Sequence, residues 1–371
     1  MPSASAEINL EAIRGNLRAI RRKTGSGVRM MAVVKANAYG HGAVNVARAA
    51  LDGGADTFGV AHVEEAVDLR QAGITSPILA LGISSHKETE EILAHDLAAT
   101  VCDMEFARAL SASAAKRGKN ARVHVKIDTG MGRIGVRLND AASFVEQISS
   151  LPGICVEGIF THFPSADEED RGFTCRQIED FRSLLARLEE RGLRPPLAHA
   201  ANSGAVLDYP DSYLDMVRAG LIMYGCYPSD CASRSIAIAP ALTFKTHVVF
   251  VKEIDKDDSV SYGRTFKAAR KTRVATIPVG YADGFSRRLS NRGQVLLRGR
   301  RVPVIGRVCM DQTMLDVSEV PEARVGDEVI LYGSQGNETV SVEDIARMIG
   351  TAPHDVLCAI GQRVTRIYHG E

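Results

Sequence analysis

The sequence has no surplus of either charge: 45 Lys and Arg balance 45 Asp and Glu over 371 residues. Nucleic acid and anionic membranes require clustered surplus cations, so neither is an expected partner, while a small zwitterionic ligand is easily accommodated. No CxxC pair occurs among the seven cysteines (Cys102, Cys155, Cys175, Cys226, Cys231, Cys309 and Cys358), and their number is odd. That excludes a zinc knuckle or a disulfide frame; no metal is expected, and a reducing compartment is. No apolar run is long enough to span a bilayer, and the opening MPSASAEINLEAIRGNL lacks a signal-peptide core, which predicts a cytoplasmic location. Low-complexity tracts are missing too. With 45% apolar and 24% charged residues, the composition is that of a globular protein, and the length favours two domains.

Short β-branched or apolar runs alternate with amphipathic stretches from about residue 30 to about residue 225. Candidate strands fall at 30–36, 57–61, 77–82, 98–102, 122–128, 156–163, 197–202 and 217–224. Helical patterns lie between them at 43–51, 63–72, 88–94, 105–117, 141–151 and 176–191. In the last of these, Ile178, Phe181, Leu184, Leu185 and Leu188 mark one buried face. Eight strands with crossovers give the arithmetic of a (β/α)8 TIM-type barrel. An open doubly wound sheet is the rival, but it predicts a GxGxxG turn after its first strand, and KANAYGHG is not one. Beyond about residue 235, short β-rich runs at 241–251, 273–278, 294–297, 302–306, 312–317 and 328–332 are separated by turn residues, with one late helix at 342–349. The reading is an α/β chain: a barrel over 1–235, then a smaller, mostly β domain over 236–371, with residues 1–10 free to pair with either.

Barrel enzymes build their sites where strands end. That filter selects Lys35 after the first strand, Arg133 after the fifth, His162 at the sixth, His199 and Asn202 at the seventh, and Arg218 with Tyr224 on the eighth. Lys35 closes the apolar run Met31-Ala-Val-Val, where an ammonium is costly. A buried lysine of lowered pKa is the usual amine for Schiff-base chemistry; a lysine snorkelling past the strand end is the ordinary alternative.

The run MAVVKANAYGHG (31–42) resembles the pyridoxal-phosphate lysine motif of alanine racemases. KIDTGMGRIGV (126–136), HAANSGA (199–205), VRAGLIMYG (217–225), GRVCMDQTMLDV (306–317), SYGRTF and PVGYADGF agree with the same family, in order and across nearly the whole chain. The resemblance implies a homodimer that interconverts L- and D-alanine, supplying D-alanine for peptidoglycan. Lys35 would carry the cofactor and act as the base on the D-face. Tyr262, reaching a partner subunit's barrel, would be the base on the L-face, with His199 bonding that tyrosine. Without the motif, Tyr262 reads as a packing residue and His199 as a satisfied core histidine. Arg218 would face the pyridine nitrogen. Tyr39, Ser203, Gly220 and Leu221 would contact the phosphate, with His162, Asn202 and Tyr224 also beside the cofactor. Arg133, Tyr281, Cys309, Met310 and Asp311 would hold substrate. Lys126 matches a lysine that is carbamylated in many relatives, which would turn a cation into an anion able to hold Arg133. Gln362 departs from the pattern, because several relatives place a tyrosine there, at the phosphate and the site entrance; its amide would still donate to the phosphate. A racemase of broader range including serine, a barrel-type decarboxylase and a non-catalytic pyridoxal-phosphate carrier are the competing readings.

Overall fold

The computed structural model describes residues 3–370. Strand β1 (Ala4–Asn9) opens the chain, and Asn9 caps the helix Leu10–Thr24 by accepting from Ala12 N at 3.0 Å. The strands that follow are β2 (Arg29–Val33), β3 (Thr57–Val60), β4 (Ile78–Ile83), β5 (Ala98–Val101), β6 (Ala121–Asp128), the two-residue β7 (Val136–Arg137), β8 (Ile154–Phe160), β9 (Leu197–His199) and β10 (Met216–Ala219). All but β1 and β7 form one parallel sheet in the order β10-β2-β3-β4-β5-β6-β8-β9. The ring closes between β9 and β10, where Asp215 N donates to Ala198 O at 3.1 Å and Arg218 N to Ala201 O at 3.0 Å. The expected TIM-type barrel is the observed one.

Strands buried on both faces need a helical jacket, and the crossover helices supply it. In Gly172–Glu190 the predicted stripe Ile178, Phe181, Leu184, Leu185 and Leu188 is buried. The barrel strands stop earlier than their apolar runs suggest. The run expected over 197–202 is a strand only to His199, and that over 217–224 only to Ala219, after which Leu221–Tyr224 coils into a single tight turn. Each early stop releases a loop at the carboxyl end of the barrel.

The second unit contains β11 (Leu242–His247), β12 (Phe250–Ile254), β13 (Ser259–Val260), β14 (Phe266–Lys267), β15 (Thr272–Ile277), β16 (Gln294–Leu297), β17 (Arg300–Ile305), β18 (Thr313–Asp316), β19 (Glu328–Gln335), β20 (Glu338–Val340) and β21 (Thr365–His369). The single run expected over 241–251 is two strands, because Val248 N and Val249 N turn away to Asp327 O and Thr276 O. The late helix is Val342–Ile349. Strand β1 lies inside this sheet, antiparallel to β11 and parallel to β21, so both ends of the chain build it.

Candidate functional site

Lys35 follows β2 after one residue. The next four residues, Ala36, Asn37, Ala38 and Tyr39, have φ of 53°, 52°, 53° and 52°, a left-handed turn without glycine. Such a conformation costs roughly 1–2 kcal/mol per residue and persists only where neighbours hold it. Glu65 does so: its carboxylate accepts from Ala36 N at 2.6 Å and Ala61 N at 2.7 Å. Asn37 Oδ1 accepts from Ala43 N at 2.8 Å, and the buried His41 ring bonds the carbonyls of Ala38 and Tyr39 at 3.1 and 3.0 Å. The turn aims Lys35 and Tyr39 into the same cavity.

That cavity, of about 330 Å³, opens at the carboxyl ends of the strands. Two lysines and two arginines, Lys35, Lys126, Arg133 and Arg218, line it, together with Tyr39, His162, Asn202, Ser203, Gly220, Leu221, Asp167 and His354. Burial, and then the Arg133 guanidinium, hold the Lys35 ammonium below its usual range. Lys126 is 2% exposed, and its Nζ donates to the Ile127 carbonyl at 2.9 Å. Burial, then Arg218, pull its pKa down to about 7. A methyl group on Gly220 would stand 3.1 Å from Tyr39 Oη and 3.4 Å from Ser203 Oγ, so the glycine keeps open a recess bordered by two hydroxyls.

Arg218 is buried, and its Nη2 donates to the carbonyls of Thr161 and Ala200 at 2.9 and 2.8 Å, with His162 Nδ1 at 3.2 Å. Its Nη1 meets His199 Nδ1 at 3.1 Å. Burial lowers the Arg218 pKa, while these acceptors favour the charged form. The other ring nitrogen of His199 meets His124 Nδ1 at 2.9 Å, and its ring stacks on Phe160 at 4.7 Å.

Tyr262, Tyr281, Cys309, Met310 and Asp311 do not line the cavity of their own chain. They gather on the β domain, where Tyr281 N donates to Cys309 O at 3.0 Å and Ala282 N to Met310 O at 3.1 Å. Ser261 Oγ lies 3.4 Å from Cys309 Sγ, and Arg363 pairs with Asp311 at 2.8 Å. Tyr262 is 70% exposed, Met310 52% and Tyr281 42%, an unusual outward display of large apolar groups.

A family model for the alanine racemase N-terminal domain matches residues 8–228, and one for the alanine racemase C-terminal domain matches residues 241–368. The chain belongs to the alanine racemase family. It is an enzyme of the isomerase class. Alanine racemase 2 of Caldanaerobacter subterraneus subsp. tengcongensis is 48% identical over 363 residues, spanning 98% of this chain and 94% of that protein. The alanine racemase of Clostridium perfringens is 47% identical over 365 residues, 98% of this chain and 94% of that one. The solved alanine racemase of Clostridium difficile 630 has a TM-score of 0.94 at 39% identity, covering all of this chain and 96% of the other. That of Bacillus anthracis with bound L-Ala-P also reaches 0.94, at 36% identity and the same coverage of both chains.

Three residues sit differently from their expected placements. His199 is buried with both ring nitrogens committed, to Arg218 and His124, and has none left for a tyrosine hydroxyl. Tyr224 donates its hydroxyl to Val33 O at 2.9 Å and stacks on Tyr39 at 4.8 Å, so it backs Tyr39 and does not line the cavity. Gln362 is exposed and outside the cavity lining, where the β domain contributes His354 instead. Sequence reasoning also passed over Glu65, His124 and Glu157. For His124 a signal existed: in Arg122-Val-His124-Val-Lys126 every second residue is polar, the pleat of a strand with a polar inner face.

Proposed function

We propose that this chain racemises alanine with pyridoxal phosphate, in a site completed by a second copy of itself. The observation that carries this reading is the Lys35 amine, held below its usual range in a cavity shared with Lys126, Arg133 and Arg218. The residues suit the group: a lysine for its aldehyde, the Gly220 recess with the Tyr39 and Ser203 hydroxyls for its phosphate, and the donor-only Arg218 for its ring nitrogen. Bound there, the cofactor would supply an electron sink for negative charge at the α-carbon of an amino acid.

Lys35, neutral once released, moves a proton on one face of that carbon. The opposite face requires a second base, and the partner subunit's Tyr262 supplies it. Exposure of Tyr262, Tyr281 and Met310 on the β domain supports this, because such a patch is built to be covered. Arg133 binds the substrate carboxylate, and backbone groups at Met310 of the partner subunit close the clamp. Lys126 with carbon dioxide forms a carbamate and releases a proton; the new anion then holds Arg133. The enzyme works in the cytoplasm, and its product supplies D-alanine for cell-wall peptidoglycan. Among the described residues no helix is long and apolar enough to cross a membrane.

Incubation of the purified protein with L-alanine in deuterated water tests the reading. α-Deuterated D-alanine is expected. An amine with release of carbon dioxide would identify a decarboxylase, and unchanged L-alanine a carrier. The same assay with serine reads how far the range extends.

A further inference from the structure

The buried Arg218 charge has no carboxylate among its hydrogen-bond partners, which are two carbonyls and two histidines. A buried cation is costly unless an anion compensates it. Following the contacts of its guanidinium through the barrel finds that anion on the opposite side of the molecule. His199 Nε2 meets His124 Nδ1 at 2.9 Å, and His124 Nε2 meets Glu157 Oε2 at 3.3 Å. Glu157 lies on β8 at 25% side-chain exposure, beside an open groove with Arg29 and Asp215. Arg122 stands 3.8 Å from its other oxygen.

The polarity of this chain follows from one end. A guanidinium only donates, so His199 Nδ1 accepts. The His199 proton therefore sits on Nε2 and is donated to His124 Nδ1. The His124 proton then sits on Nε2 and is donated to the carboxylate. Any other tautomer of His199 sets a donor against a donor at the 3.1 Å contact with Arg218.

We propose that Glu157 and His124 are positioning residues for the racemase: a one-way hydrogen-bond relay from Glu157 through His124 and His199 orients and counter-charges Arg218 from the far side of the barrel. The proposal rests on the functional reading only for what Arg218 faces. The relay itself stands on three contacts and a donor count. Linked polar groups in a dry interior polarise one another, so a change at Glu157 is felt at Arg218.

Two measurements test it. Nitrogen-15 NMR of the histidine-labelled full chain, assigned with His124→Asn and His199→Asn, should show both rings protonated at Nε2 and bare at Nδ1. Glu157→Gln keeps an acceptor but removes the charge; it should move the His124 Nε2 proton upfield and carry a smaller shift of the same sign to His199. A proton on His199 Nδ1, or a His199 signal unmoved by Glu157→Gln, overturns the relay. This arm needs neither cofactor nor substrate, so it decides the relay even if the wild-type chain fails to racemise alanine, which would sink the functional reading alone. In the kinetic arm Glu157→Gln should lower kcat about tenfold with KM within about twofold. A lowered thermal midpoint with unchanged kcat would mark the carboxylate as merely structural and also overturn the proposal.

Discussion

Lys126 shows how much chemistry a single burial creates. An ammonium facing Arg218 and Arg133 in a dry barrel is repelled from its charged form, and a pKa of about 7 leaves the amine largely neutral just above neutrality. Only a neutral amine adds carbon dioxide. With carbon-13 bicarbonate at pH 8, a carbamate resonance is expected that is absent from Lys126→Ala and fades as pH falls through about 7. A spectrum without that signal at pH 8 would contradict the proposed modification. Most residues of the cavity are legible because strand ends and motif spacing both mark them, whereas Asp167 in a loop and His354 in the second domain carry neither mark. The role of His199 was not, since its ring partner His124 lies 75 positions away and its other partner is a guanidinium on a different strand. Sequence identifies a residue type at a strand end; it does not say which ring nitrogens are already taken.

At the scale of the element, the left-handed turn at 36–39 concentrates strain beside Lys35. Ala-Asn-Ala-Tyr carries no glycine to announce a positive φ, so the sequence reads as a strand continuing into a loop. The conformation is held by Glu65 and His41, which are distant or unmarked in the chain. Ala36 is exposed within the turn, so its methyl contributes strain and little packing. Ala36→Gly is expected to stabilise the protein by about 1 kcal/mol, read as a higher thermal midpoint. A lower midpoint would mean that the turn is not strained at this position. The strands end before their apolar runs do for a related reason: apolar residues continue past His199 and Ala219 because the loops that shape the cavity are themselves buried.

Across the whole molecule, the two domains are less separable than the change in sequence texture suggests. β1 fills the gap between β11 and β21, so a fragment of residues 236–371 leaves two strand edges unpaired. That fragment alone is expected to aggregate or to lack a cooperative thermal transition by circular dichroism, and a peptide of residues 3–10 added in trans should restore one. A cooperative transition without the peptide would show that β1 is dispensable. The same whole-molecule logic separates the cavity, with Lys35, from the exposed patch, with Tyr262, in a single chain. The central claim is that one copy's patch completes the other copy's cavity, and mixing two inactive variants tests it most directly. Lys35→Ala and Tyr262→Phe are each expected to be inactive as pure proteins. Unfolded and refolded together in equal amounts, half of the dimers are mixed and each has one intact site, so about a quarter of wild-type activity should return. A mixture that stays inactive, or a Tyr262→Phe protein that racemises alanine at the wild-type rate, would contradict the shared site.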